Sequence, residues 1–100
     1  MQTLAFTFPA AAPPRGRALA GVVASGDLEV LLEPAADARI TIEVTTSVEG
    51  MERTWAALFA RLFAEPTRPA VHLQINDFGA TPGVVGLRIA QAFDAVAQED

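Results

Sequence analysis

Ser25 stands in the stretch "VVASGDLEV", residues 22–30, where an apolar run stops at a small polar triplet and an alternating run restarts. It is one of two serines in the chain. A serine hydroxyl can act as a nucleophile, or it can receive a group from another enzyme. The first use needs an activating base. No G-x-S-x-G elbow surrounds Ser25, the seven basic residues are all arginine, and no base is assigned to it by position. The second use needs only an exposed hydroxyl with small neighbours, so that a transferase can close around it. Ala24 and Gly26 are such neighbours. A plain Ser-Gly turn remains the simplest reading from composition alone.

The other reactive side chains are sparse. His72 is the single histidine and sits among polar positions of an alternating run, without an assigned nucleophile or orienting acid. Asp77-Phe78-Gly79 spells the kinase magnesium triplet, but the lysine, glycine-rich loop and catalytic-loop aspartate of a kinase are missing. A loop in which Phe78 plugs the core and Thr81 caps the next helix is expected there. "GVVG" at 83–86 is too short and apolar for a phosphate cradle, and its glycines are read as allowing close packing. Arg15 and Arg17 flank Gly16 and could grip a phosphate, or lie in a solvated loop. Asp27, Glu29, Glu33 and Glu43 are expected to form an acidic outer face. Leu31 is an apolar residue among them. That face is either solvated or a docking surface, with Gly26, Asp27, Glu29, Leu31 and Glu33 as its candidates.

The elements that must position these residues follow from periodicity. "TLAFTF" alternates over residues 3–8 and reads as a strand; "PAAAPPRG" is a proline-bound connector. "RALAGVVA" and "DLEVLLEP" read as two strands of a tight hairpin around Ser25-Gly26, and "ARITIEVTT" as a further strand. The period then changes. Met51, Trp55, Leu58, Phe59 and Leu62 fall at helical spacing, ended by Pro66. "AVHLQIN" alternates again. Thr81 and Pro82 then start a helix with Val85, Ile89, Ala92, Phe93 and Val96 as its apolar stripe. The expected fold is an α+β two-layer sandwich: a largely antiparallel sheet of about four to five strands, with two amphipathic helices on one face. Strand order is not readable.

Composition bounds the function. The chain has 100 residues, enough for one domain spanning 1–100, with 51% hydrophobic and 19% charged residues. Net charge is -5 and the sequence pI about 4.7, which argues against nucleic acid and against an anionic membrane surface. Absence of cysteine removes disulfides, thiolate nucleophiles and zinc-finger sites. No apolar run is long enough to span a bilayer and no signal-peptide pattern opens the chain, so a cytoplasmic location is expected.

"RGRALAGVVASGDLEVLLEP" together with "HLQINDFGATPGVVGLRIAQAF" resembles the acyl carrier (delta) subunit of bacterial biotin-independent malonate decarboxylase, over essentially the whole chain. The resemblance implies that Ser25, in Ser25-Gly26-Asp27, is the attachment residue. Family members often carry glycine where this chain has Ala24. It also implies a 2'-(5''-phosphoribosyl)-3'-dephospho-CoA arm joined to Ser25 by a phosphodiester, carrying acetyl or malonyl as a thioester. The implied partners are the acyl transferase and decarboxylase subunits, a malonyl transferase and the prosthetic-group transferase. The carrier itself would not be a catalyst. Decarboxylation of a malonyl thioester needs preorganised donors for the enolate oxygen. A chain this small shows no pocket for them, so a partner must supply them. A citrate lyase-type carrier, a noncovalent interaction module with no prosthetic group, and a small hydrolase using Ser25 stay open as alternatives.

Overall fold

A computed structural model describes residues 1–97. Five strands and two helices alternate as β1 (Gln2–Pro9), β2 (Ala18–Gly21), β3 (Leu28–Pro34), β4 (Arg39–Thr46), α1 (Glu52–Leu62), β5 (Val71–Asp77) and α2 (Pro82–Ala97). The strands form one sheet in the order β1-β4-β5-β3-β2. Three pairs are antiparallel; β4 and β5 are parallel, because α1 carries the chain back between them. The α+β sandwich expected from the sequence is thus observed. β5 inserts between β3 and β4, which periodicity could not reveal.

Alternation decides which face of the sheet is dry. Leu28, Val30 and Leu32 of β3, Ile40, Ile42 and Val44 of β4, and Val71, Leu73 and Ile75 of β5 are all buried. Burying each such side chain contributes about 1.5–3 kcal/mol. Both helices lie on this face. α1 packs towards β1 through aromatic contacts, Phe6 on Phe59 at 5.1 Å between centroids and Phe8 on Phe63 at 5.6 Å. α2 covers β2 and β3 with Val85, Ile89, Ala92, Phe93 and Val96, the expected stripe. Phe63 and Phe93 join the two helices at 6.1 Å.

Several local expectations are corrected. α1 stops at Leu62, before Pro66. Met51 sits exposed at its N-terminal boundary, so the stripe is Trp55, Leu58 and Phe59 with Leu62 half-buried against the core, and Phe63 completes it past the helix end. The glycines of 83–86 do not serve close packing: a Cβ at Gly86 would meet nothing within 4 Å, and one at Gly83 only the Thr81 hydroxyl at 4.0 Å. The hairpin is not tight. β2 ends at Gly21, so residues 22–27 form a loop, and Val22 and Val23 point to solvent.

Candidate functional site

β2 ends at a position that only glycine can fill. Gly21 has φ +82°, and a Cβ there would lie 2.0 Å from the Leu28 carbonyl oxygen. The chain leaves the ladder at this point and returns through a four-residue turn, Ala24 to Asp27, closed by the Asp27 N–H on the Ala24 carbonyl at 3.0 Å. Ser25 and Gly26 are its central residues. Gly26 has φ +77° whereas Ser25 has a negative φ, the combination of a type II turn. Ser25 is therefore exposed at the apex.

The turn is held from two sides. The Gly26 N–H donates to the Phe78 carbonyl at 2.7 Å, and the Phe78 N–H donates to the Asp27 carbonyl at 3.0 Å. These bonds tie the Ser25 loop to the loop between β5 and α2. Asp27 supplies the second hold. Its carboxylate accepts the Leu28 N–H at 2.7 Å and takes both Arg88 Nε, at 3.1 Å, and Arg88 Nη2, at 2.7 Å. This two-point pair fixes the loop to α2. The Arg88 hydrogen bonds, then that of Leu28, hold the Asp27 carboxyl below the usual aspartate value, and the Arg88 guanidinium is raised in turn.

The β5–α2 loop is rigid for its own reason. The buried Asp77 carboxylate accepts the Thr46 hydroxyl at 2.8 Å, the Gly79 N–H at 3.3 Å and the Ala80 N–H at 3.0 Å. Thr81 caps α2 by accepting the Val84 N–H at 3.3 Å, as its position predicts. Phe78 does not plug the core. It is half-buried and, with Val23, Ala24, Ser25 and Ser47, lines an open hollow beside the Ser25 hydroxyl. Both serines of the chain border this hollow.

The acidic row comes apart. Glu29, Glu33 and Glu43 do share the open face of the sheet, with Leu31 half-buried beside Gln74. Glu29 accepts a hydrogen bond from Asn76 at 3.2 Å. Asp27 does not belong to that row, because its side chain turns to Arg88 on the helix side. Arg88 is the residue that sequence reasoning missed; a lone arginine flanking the apolar stripe of α2 was the available signal. His72 lies on the open face with Thr41 Oγ1 2.8 Å from its Nδ1, and takes no part in the Ser25 site. Arg15 and Arg17 are exposed in the connector. Among the described residues no cluster of His, Cys, Asp and Glu is suited to a metal, and no helix is long and apolar enough to cross a membrane.

Residues 15–96, which include the whole Ser25 site, match the family described as the malonate decarboxylase delta subunit (MdcD), an acyl carrier protein. The chain belongs to that family. Malonate decarboxylase acyl carrier proteins of Pseudomonas aeruginosa (strain LESB58) and Pseudomonas fluorescens (strain SBW25) are 61% and 57% identical to it over 99 residues, 99% of this chain and 100% of each relative. A chain in the crystal structure of a Pseudomonas malonate decarboxylase hetero-tetramer in complex with malonate superposes with a TM-score of 0.92 at 56% identity, covering 96% of this chain and 99% of that one. Among the delta subunits the role is that of a carrier within an assembly, not of a catalyst on its own.

Proposed function

We propose that this chain is the acyl carrier subunit of a malonate decarboxylase, a single carrier domain whose Ser25 holds a 2'-(5''-phosphoribosyl)-3'-dephospho-CoA arm. The observation that carries the proposal is the exposed Ser25 hydroxyl at the apex of a pinned turn, in a chain of this family. The residues present suit the group. A phosphodiester at Ser25 Oγ meets small neighbours, Ala24 and Gly26, and a Cβ at Gly26 would touch nothing within 4 Å. The hollow of Val23, Ser47 and Phe78 leaves room for the first part of the arm. When bound, the arm supplies a thiol that carries acetyl or malonyl as a thioester.

The chain's own residues position and present. The Gly26–Phe78 hydrogen bond and the Asp27–Arg88 pair keep the hydroxyl in one place, which lowers the ordering cost of docking to a partner. No base stands at Ser25: His72 is on the open sheet face and bonded to Thr41. The prosthetic-group transferase therefore removes the serine proton. The exposed Val22 and Val23 beside the turn give that enzyme an apolar grip. Glu29, Leu31 and Glu33, on the open face, are the proposed docking residues for the acyl transferase and decarboxylase subunits, together with Gly26 at the turn. Asp27 acts through Arg88, as a positioning residue. The proposed location is the cytoplasm.

The test is the intact mass of the protein isolated from its native host during growth on malonate, followed by peptide mapping. An adduct of the arm's mass on Ser25 is expected. An unmodified chain, or an adduct on Ser47, the other serine of the hollow, would overturn the assignment.

A further inference from the structure

A second hollow opens next to the Ser25 turn. It lies between the N-terminal ends of α1 and α2 and has a volume of about 160 Å³. Val48, Met51, Trp55, Leu58, Ala80 and Val85 give it an apolar wall. Val48 and Met51 are exposed at its mouth, while Trp55, Leu58 and Val85 are buried at its back. An apolar cavity of about 150 Å³ accommodates a molecule the size of benzene. A thiol end or an acetyl thioester end is of that order.

The two hollows are lined by adjacent residues of the same two loops. Ser47 and Phe78 border the hollow at Ser25, and their chain neighbours Val48, Asp77 and Gly79 border the apolar one. The Ser47 N–H donates to the Asp77 carbonyl at 3.1 Å, so one backbone bond joins the two segments. Gly79 abuts the Ser25 turn: a Cβ on it would lie 4.0 Å from the Gly26 nitrogen. An arm fixed to Ser25 thus leaves a turn that abuts Gly79, one of the residues lining the apolar hollow.

Charge selects which end of an arm this hollow admits. Asp77 lies in its wall, buried, with its carboxylate already accepting from Thr46, Gly79 and Ala80. Among the described residues no cationic side chain lines the hollow. A malonyl end brings a second carboxylate, which would face Asp77 and whose loss of water outweighs the attraction of the two helix N-termini. A free thiol or an acetyl end carries no such charge.

We propose that this hollow is a resting site for the uncharged end of the arm on Ser25, admitting the thiol or acetyl form and excluding the malonyl form. The site rests on the carrier reading above. It shields the thioester between visits to partner subunits and releases the arm once malonyl is loaded.

The molecule carries its own reporters. Trp55 is the single tryptophan, and the chain has no cysteine, so the arm's thiol is the sole thiol present. Protein is prepared without the arm, with the free-thiol arm, and with the arm acetylated or malonylated; intact mass verifies each form. An arm missing from Ser25 at that stage overturns the carrier reading. With the arm in place, Trp55 emission is expected to shift in the thiol and acetyl forms and to match the arm-free protein in the malonyl form. Alkylation of the arm's thiol is expected to run about tenfold slower than that of free CoA, equivalent to about 1.4 kcal/mol of docking. Val48→Glu, at the exposed mouth, should restore the free rate. Unchanged Trp55 emission in all forms, an equal shift with malonyl, or alkylation at the free-CoA rate would overturn the resting site alone.

Discussion

Gly21 and Gly26 both have positive φ, but only one of them is crowded, and alanine at each should separate strain from collision. At Gly26 a Cβ meets nothing within 4 Å, so Gly26→Ala bears the left-handed backbone alone, about 1–2 kcal/mol. At Gly21 a Cβ would stand 2.0 Å from the Leu28 carbonyl oxygen, 3.1 Å from its carbon and 3.3 Å from Arg88 Cδ. The oxygen cannot step aside, because Leu28 is fully buried in β3. Gly21→Ala therefore adds an overpacking penalty of about 1–3 kcal/mol to the same strain, for a total of about 2–5 kcal/mol. Against a typical stability of about 5–15 kcal/mol that is a large share. For a domain of this size each kcal/mol lowers the Tm by about 4–8 °C. Gly86→Ala is the control. It lies inside α2 with open space around its Cβ position and no positive φ, and should stabilise by about 0.5–1 kcal/mol. Thermal and urea unfolding followed by far-UV circular dichroism read all three. Equal destabilisation at Gly21 and Gly26 would refute the claim that the Leu28 carbonyl leaves no room for a side chain at position 21.

Ser25→Ala should leave stability within about 0.5 kcal/mol of wild type, as an exposed turn position does, while arm attachment disappears from the mass spectrum; an arm still present would move the site elsewhere. Asp27→Asn tests the pair with Arg88. Because the native carboxyl titrates below its ordinary 3.8, its stabilisation is fully present above that pH and is lost as pH falls through the native value. The Tm gap between wild type and Asp27→Asn should therefore close in acid, and a gap that stays constant down to the lowest accessible pH would refute the pairing. Reversing Glu29 and Glu33 to Arg should slow association with partner subunits at low salt and less so at high salt, as exposed charges are screened over about 8 Å at physiological ionic strength. Equal stopped-flow association rates at low salt would return that face to plain solvation.

Strands and helices were legible wherever one face is buried. The alternation of Ile40, Ile42 and Val44 and the helical spacing of Val85, Ile89, Ala92, Phe93 and Val96 each record a single dry side, and both elements lie where those patterns put them. Val22 and Val23 misled for the same reason. They extend an apolar run past Gly21, yet the strand ends at that residue's positive φ, and no local pattern encodes how closely its backbone approaches the Leu28 carbonyl on the next strand. The place of β5 between β3 and β4 is likewise a long-range outcome. Register such as Val30 on Ile75 and Val44 on Ile75 leaves no mark on a strand that would look the same at the sheet's edge.

The site divides along a similar line. Ser25 could be proposed from the sequence because what singles it out lies in its neighbours: a small residue before it, a glycine after it, and a motif. Asp27 was placed with Glu29 and Glu33 by parity, and parity fails at the residue just before a strand. There the backbone is still in the turn, and a carboxylate can take the Leu28 N–H and reach Arg88 instead of pointing outward. Phe78 was assigned to the core because it is large and apolar, but Asp77 holds its loop at the rim, and Phe78 ends beside Ser25. Both errors have one physical source. The residues that hold the hydroxyl in place sit on loops, whose conformation is set by individual hydrogen bonds and ion pairs and not by a repeating pattern. In this chain the proposed attachment residue can be read locally, whereas its mounting joins residues from both ends of the sequence, Asp27 with Arg88 and Gly26 with Phe78.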